Sequence, residues 1–123
     1  MRLLDSNIII YAGESGYESL RESLLDLKDL AASDISYLEV LGYNKYPEET
    51  QSFLEGFFSS IVVYPITKDI IILAVELRKL RKLSLGDSII AATALTHHLP
   101  LLTNNEKDFL WIDGLSVTNP LRS

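Results

Sequence analysis

Residues 3–11 read Leu3-Leu4-Asp5-Ser6-Asn7-Ile8-Ile9-Ile10-Tyr11. The two leucines predict a short buried strand, and the three polar residues after them are typical of the point where a strand ends. The apolar run from Ile8 to Tyr11 continues as a helix or a turn. A carboxylate is therefore expected at the end of the first strand.

The next stretch predicts a helix, a strand and a second helix. Residues 31–33 are expected to form a short strand. Ser36 and Glu39 have the Ser-x-x-Glu spacing of a capping box, so a helix is expected to start there with Glu39 in its first turn. The helix before the strand is predicted from about residue 17 to residue 30 by leucines that recur every three or four residues: Leu20, Leu24, Leu27 and Leu30.

The middle of the chain continues the alternation. Proline suits the first helical position and the acids after it complement the helix dipole, so a helix is predicted to start at Pro47 and to end before Ser59. Residues 61–64 are an apolar, β-branched run stopped by Pro65, which predicts a buried strand.

Two more helices and two short strands are predicted in the last half of the chain. Thr67 is expected to cap a helix, and residues 85–87 open the next one; short strands are expected at 101–102 and 115–117. The first of these helices turns one apolar face inward: Ile70, Leu73, Ala74, Leu77 and Leu80. The second does the same: Ile90, Ala91, Ala94 and Leu95.

Strands separated by helices favour an α/β layer structure with a mainly parallel sheet, because parallel neighbours need crossover connections. In such sheets ligands bind outside the carboxyl ends of the strands. Polar residues that follow strands are therefore the first candidates for a site.

Composition limits the remaining choices. The 123 residues suit one domain over residues 1–123, and 47% apolar residues supply a core. The absence of cysteine excludes disulfides, thiolate zinc sites and a cysteine nucleophile. A net charge of −6 disfavours nonspecific coating of nucleic acid. With no signal-like start and no membrane-length apolar run, a soluble cytoplasmic protein that does not engage a membrane is expected.

Four acids stand near predicted strand ends or helix starts: Asp5, Glu39, Asp87 and Asp108. Carboxylates gathered at one sheet edge would repel each other, and a hard divalent cation with oxygen ligands relieves that repulsion. Acids with Mg²⁺ or Mn²⁺ suit phosphate chemistry. Each acid also has a structural explanation as a helix cap, a dipole partner or a solvated turn residue, and periodicity does not choose between the two.

A resemblance favours the metal site. Four segments, in this order, are similar to a PIN domain, and most similar to the toxins of bacterial and archaeal VapBC toxin–antitoxin pairs: residues 3–11, 36–42, 86–94 and 102–109. The resemblance implies a three-layer α/β/α sandwich with a mainly parallel sheet, and a Mg²⁺- or Mn²⁺-dependent endoribonuclease in which water attacks the phosphorus without a covalent enzyme intermediate. It also implies a cognate antitoxin that covers the acidic pocket, and commonly a homodimer.

The resemblance also assigns roles to individual residues. Asp5 and Asp87 match direct metal ligands, Glu39 matches a ligand of the metal or of its water, and Asp108 matches a weaker or second metal position. The residues expected to support the ligands through hydrogen bonds are Ser6, Asn7 and Asn105.

Positive charge is concentrated near one predicted helix end, at Arg78, Lys79, Arg81 and Lys82. This cluster could bind RNA phosphate near the pocket, or it could be a solvated helix end that complements the dipole. Five tyrosines could stack bases, with core or interface packing the more ordinary explanation: Tyr11, Tyr17, Tyr37, Tyr43 and Tyr46. The apolar residues near Tyr37 to Tyr46 are candidates for a dimer surface, with core packing again the more ordinary explanation. His97 and His98 are interpreted as a helix C-cap, and Phe109 and Trp111 as core.

Two further hypotheses compete with the ribonuclease. One is a catalytically silent PIN-like module that binds a protein partner, with the acids serving as caps. The other is a phosphoryl-accepting domain modified on Asp5. It ranks last because neither a second early acid nor a lysine near the last strand stands out.

Overall fold

Five parallel strands form the centre of the molecule in the computed structural model, which describes residues 1–121. The strand order across the sheet is β3-β2-β1-β4-β5, which confirms the predicted parallel α/β arrangement. The strands are β1 (Arg2–Leu4), β2 (Leu30–Ser33), β3 (Val62–Tyr64), β4 (Leu101–Leu102) and β5 (Val117–Thr118).

Helices cover both faces of this sheet, so the layer order is α/β/α as expected. Successive strand residues point to opposite faces, and the pairs Leu3/Leu4 and Leu101/Leu102 accordingly divide between two separate apolar clusters. The helices are α1 (Ser6–Ala12), α2 (Glu18–Asp26), α3 (Asp34–Leu41), α4 (Glu48–Ser60), α5 (Lys68–Leu80), α6 (Leu85–His97) and α7 (Glu106–Phe109). The cluster around Leu4 contains the buried faces of α1, α2 and α4, and the cluster around Leu3 contains those of α5 and α6.

The helix predicted from 17 to 30 is wrong at its end, because α2 stops at Asp26. Leu27 has extended backbone, and Leu30 belongs to β2, where it is paired with Arg2. The backbone carbonyl of Asp29 also accepts a hydrogen bond from the Arg2 amide. The pairing of Leu30 with β1 therefore outweighs the helix that the leucine spacing predicted. Leu30 continues that spacing although it belongs to a strand.

Two further boundaries differ from prediction. Helix α4 runs through Ser60, and the Ser59 and Ser60 hydroxyls donate to carbonyls of the preceding turn. The last strand covers Val117–Thr118 rather than 115–117.

Some burial predictions are also corrected. Strand β3 was expected to be buried, but it is an edge strand with Val62 exposed and its other residues partly covered. Leu80, the last residue of α5, is exposed, whereas Ile70, Ala74 and Leu77 are buried as predicted.

The predicted helix caps are confirmed at two positions, Thr67 and His98. The Thr67 side chain accepts from the Ile70 amide at the start of α5. At the end of α6, His98 takes the left-handed conformation, with φ 56°, and its amide donates to the helix carbonyls. Phe109 is fully buried as expected, while Trp111 is only partly buried.

Among the helices of residues 1–121, none combines the length and the apolar character needed to cross a bilayer.

Truncation of Phe109 tests how strongly the short helix α7 depends on the core. Phe109 is fully buried, so Phe109→Ala should lower the free energy of unfolding by about 3–5 kcal/mol in urea denaturation. Its neighbour Leu110 is 67% exposed, and Leu110→Ala should change the stability by less than about 0.5 kcal/mol. Similar losses for both variants would contradict this packing.

Candidate active site

Asp5 is a buried carboxylate at the junction of β1 and α1. Only 4% of its surface is exposed. Its Oδ1 accepts from the Ser6 amide at 2.8 Å, and its Oδ2 accepts from the Thr103 hydroxyl at 2.7 Å. Thr103 directly follows β4, which is hydrogen bonded to β1, so sheet pairing alone brings it beside Asp5.

Glu39 lies opposite Asp5 on α3, and its surroundings overturn the predicted capping box. The N-cap of α3 is Ser33, whose side chain accepts from the Ile35 amide, so Glu39 is in the second turn. Ser36 is fully buried within the helix, and its hydroxyl is 2.8 Å from the Ser6 hydroxyl. The Ser6 hydroxyl in turn donates to Glu39 Oε1 at 2.8 Å. Glu39 is therefore oriented by α1 rather than by its own helix start.

Gly86, in the first turn of α6, makes room for the Glu39 carboxylate. A Cβ at position 86 would lie only 2.6 Å from Glu39 Oε2, well inside van der Waals contact. Helix α3 packs against both α1 and α6. The Glu39 side chain consequently lies between Ser6 on α1 and the backbone of Gly86 on α6.

Asp87 follows Gly86 and also lies in the first turn of α6. The Ser84 side chain caps this helix by accepting from the Asp87 amide at 3.1 Å. The pKa of the Asp87 carboxyl is raised to about 6, mainly by burial and then by the negative charges of Asp5, Asp108 and Glu39, against a lowering by a hydrogen bond with Ser84. Asp87 therefore lies in the field of the other three acids.

The pKa of the Asp5 carboxyl is also raised. Burial is the main cause, and the charges of Glu39 and Asp108 add to it, while the hydrogen bonds from Thr103 and Ser6 oppose it. Asp108 itself is exposed on α7. The structure thus brings the four acids singled out in the sequence within electrostatic reach of one another, with Asp108 at the rim.

A small acid pocket of about 140 Å³ lies between these elements. We use the name acid pocket for the space lined by Asp5, Ser6, Asn7, Ile10, Glu39 and Asp87. As the side chains stand, no group of three or more His, Cys, Asp or Glu residues within 1–121 is arranged to hold a metal ion.

The chemistry of the donors nevertheless suits a hard divalent cation. The pocket offers carboxylate and hydroxyl oxygens, which Mg²⁺ and Mn²⁺ prefer. Both oxygens of Asp5 accept hydrogen bonds within the protein, and Glu39 is held by Ser6. The ionised carboxylates repel one another, and a bound cation would offset that repulsion.

The residues expected to support the ligands have different contacts from those predicted. The Ser6 hydroxyl bonds to Glu39, and only the Ser6 backbone reaches Asp5. Asn7 is exposed at the pocket wall. Asn105 is exposed, and its amide donates to the Thr103 hydroxyl at 3.0 Å. Thr103 therefore holds both Asp5 and the loop that leads to Asp108.

Sequence reasoning missed Thr103, Ser36 and Gly86. The signal for Thr103 was available, because it is a polar residue directly after a strand, as Asp5 is. For Ser36 and Gly86 the roles depend on contacts between helices distant in sequence, which no local pattern encodes.

The basic cluster has several structural contacts. Arg78 Nε donates to the Leu83 carbonyl at 3.0 Å and so braces the turn between α5 and α6. Lys79 forms an exposed ion pair with Glu76. The Arg81 guanidinium lies over the Trp111 ring, 5.3 Å from its centroid, while Lys82 is exposed.

Comparison with known proteins places these features in a family context. The PIN domain family model matches residues 2–115. No curated protein sequence matches the chain significantly.

Solved structures match over nearly the whole chain. A chain of a toxin–antitoxin complex from Klebsiella pneumoniae is 35% identical, with a TM-score of 0.82 and 100% of both chains covered. A chain of VapBC2 from Rickettsia felis, bound to a DNA fragment from their promoter, is 28% identical with a TM-score of 0.82, covering 96% of this chain and 97% of that one. A chain of DNA-bound VapBC from Salmonella typhimurium is 25% identical with a TM-score of 0.81, covering 98% and 99%.

Removal of the Thr103 hydroxyl should raise the pKa of Asp5 further. That hydroxyl donates to the ionised carboxylate, and a hydrogen bond to the charged form lowers a pKa. In Thr103→Val, a ¹³C NMR titration of the Asp5 carboxyl should show the upward shift, and unfolding should cost about 1–2 kcal/mol less. Thr103→Ser keeps the hydroxyl and is the matched control. An unchanged titration of Asp5 in the valine variant would refute this role.

Asp87→Asn should stabilise the metal-free protein at neutral pH. Because the folded pKa of about 6 exceeds the unfolded value of 3.8, the stability contributed by this carboxyl is present below pH 4 and is lost as pH rises through 6. After a discount for partial solvation, the variant should gain about 1 kcal/mol at pH 7.5 and nothing near pH 4.

Urea denaturation in EDTA at both pH values measures this difference. Asp69→Asn is the control, since Asp69 also lies in the first turn of a helix, α5, and is exposed. A loss of stability in Asp87→Asn at pH 7.5 would show that the acids do not repel one another.

Proposed function

The chain belongs to the PIN domain family, and from that premise we propose that it is a metal-dependent endoribonuclease that hydrolyses RNA phosphodiester bonds. We further propose that it is the toxin of a toxin–antitoxin pair and acts in the cytoplasm. The observation that carries the proposal is the convergence of Asp5, Glu39 and Asp87 on one pocket. Burial raises the pKa of Asp87, and the charges of Asp5, Asp108 and Glu39 add to that shift.

Each acid has a separate task in this proposal. Asp5 and Asp87 hold Mg²⁺ or Mn²⁺ directly, Glu39 contacts the metal or its water, and Asp108 at the rim serves a weaker or second metal position. When bound, the cation supplies activation of water and stabilises charge on the attacked phosphate.

The surrounding residues keep these carboxylates in place. Thr103 and the Ser6 amide fix both oxygens of Asp5, and the Ser6 hydroxyl fixes Glu39. Asn7 lines the pocket wall, where its amide can contact the substrate. Such fixed oxygen ligands reduce the reorganisation needed at the moment of reaction.

Protein partners are part of the same proposal. The relatives described above are toxin–antitoxin complexes, which supports an antitoxin that covers the acid pocket of this chain. A homodimer is proposed as well, and the exposed side chains of Tyr37 and Leu38 on α3 supply apolar surface for it.

A catalytically silent module that binds a protein partner is the second candidate. It is favoured by the finding that no group of three acidic or histidine side chains in the described part of the chain is arranged to hold a metal. Metal binding separates the two candidates, because a silent module has no need of it.

Asp5→Asn should abolish the proposed activity, because it removes a charged metal ligand while keeping the shape of the side chain. Purified chain, freed of partners, is incubated with mixed cellular RNA and Mn²⁺, and cleavage should fall at least about 100-fold in the variant. EDTA should have the same effect on the parent protein.

Asp26→Asn is the matched control, since Asp26 is exposed and lies outside the acid pocket. Calorimetry with Mn²⁺ should show binding by the parent and by Asp26→Asn, and none by Asp87→Asn. Equal cleavage by parent and Asp5→Asn would point to a contaminating nuclease and contradict the proposal.

A further inference from the structure

A groove of about 460 Å³ opens beside the acid pocket. Ile10 and Glu39 line both cavities, so the groove and the pocket adjoin each other. Its volume falls within the range of about 300–1,000 Å³ that is usual for small-molecule sites. A substrate with its phosphate at the acids would therefore have adjacent space for a neighbouring group.

Two tyrosines form the far wall of this groove. Tyr43 and Tyr46 lie in the loop between α3 and α4, with ring centroids 4.8 Å apart and planes at 64° to each other. Tyr43 is 50% exposed, which leaves an aromatic surface open to a flat ligand. Stacking of nucleobases on such rings contributes about 1–3 kcal/mol per base.

Two charged residues complete the groove. Lys45 lies between the tyrosines in sequence, is exposed, and supplies positive charge next to the acids. Burial and then Tyr43 are the main causes that raise the pKa of Tyr46, and Glu14, near the start of the loop after α1, adds to that shift. A lysine can bind a phosphate. A carboxylate can only accept hydrogen bonds, and the exocyclic amino group of a base donates to it well, whereas the single ring N–H of uracil is flanked by two carbonyl oxygens that repel the carboxylate.

We propose that this groove binds one nucleotide of the RNA substrate next to the scissile phosphate, and that Glu14 selects a base with an exocyclic amino group over uracil. The base stacks on the exposed ring of Tyr43, which Tyr46 supports edge to face, its amino group donates to Glu14, and Lys45 binds the backbone phosphate. This assignment rests on the proposed ribonuclease function and names a substrate preference for it.

The lining favours a nucleotide over a protein segment. An aromatic ring, a cation and a carboxylate match three features of a nucleotide: the flat face of the base, the phosphate, and the exocyclic amino group that some bases carry. The groove also adjoins the pocket where the phosphate would be cut.

The test uses cytidine 5′-monophosphate and uridine 5′-monophosphate as probes on the full chain in EDTA. Binding is followed by the ring signals of Tyr43 and Tyr46 in NMR spectra, so it does not depend on cleavage. Cytidine monophosphate should shift these signals with an affinity about threefold to tenfold higher than that of uridine monophosphate, the contribution of one hydrogen bond.

Three variants assign the contacts. Glu14→Gln should erase the difference between the two nucleotides, because an amide can also donate to uracil. Lys45→Ala should weaken both nucleotides equally, by about threefold or more. Lys68→Ala, at an exposed lysine on α5 outside the groove, should change neither.

The outcome is separable from that of the ribonuclease assay. Tyrosine signals that stay in place for both nucleotides, or an equal affinity that Glu14→Gln leaves unaltered, would overturn the nucleotide site even if the chain cuts RNA. Groove variants that weaken antitoxin binding, with no nucleotide effect, would identify a protein-docking surface instead and also overturn it. Nucleotide binding of the expected pattern would support the site even if mixed RNA is not cut.

Discussion

The hydrogen bonds that hold Asp5 are the interaction on which the site depends. An ionised carboxylate with 4% exposure is costly to bury, and the Ser6 amide and the Thr103 hydroxyl offset part of that cost. Thr103 reaches Asp5 only because β1 and β4 are parallel neighbours. The pairing of β1 with β4 therefore also fixes the position of the Asp5 carboxylate.

The other acids are added around this fixed point at the expense of stability. Burial and mutual repulsion raise the pKa of both Asp5 and Asp87. Both carboxylates are therefore protonated more readily in the folded chain than they would be if they were exposed and far apart. A cation, an arginine of a partner, or any other positive group would be attracted to these carboxylates. The repulsion among the acids lowers the stability of the folded chain, and a positively charged ligand that binds the pocket would restore it.

Much of this arrangement could be predicted from the sequence. Leu3 to Tyr11 correctly indicated a strand, a carboxylate and a helix, and the strand–helix alternation indicated a parallel sheet, because those patterns are local. The end of α2 was wrong because strand pairing of Leu30 outweighs leucine spacing. The capping box was wrong because Ser36 finds its partner on α1, and such contacts between distant helices leave no local signature. The metal roles of the acids stay predictions.

Gly86 offers a way to separate catalysis from charge. A Cβ atom added at Gly86 would lie only 2.6 Å from Glu39 Oε2. The methyl group of Gly86→Ala would therefore displace the Glu39 carboxylate without removing it. Conventional inactive forms of such a site delete an acid, which also weakens any attraction for a cationic partner. A chain blocked by an added methyl keeps the net charge of −6 and all of its acids. If the proposed activity depends on the position of Glu39, this variant would be inactive, and its partner binding could be studied on a surface of unaltered charge.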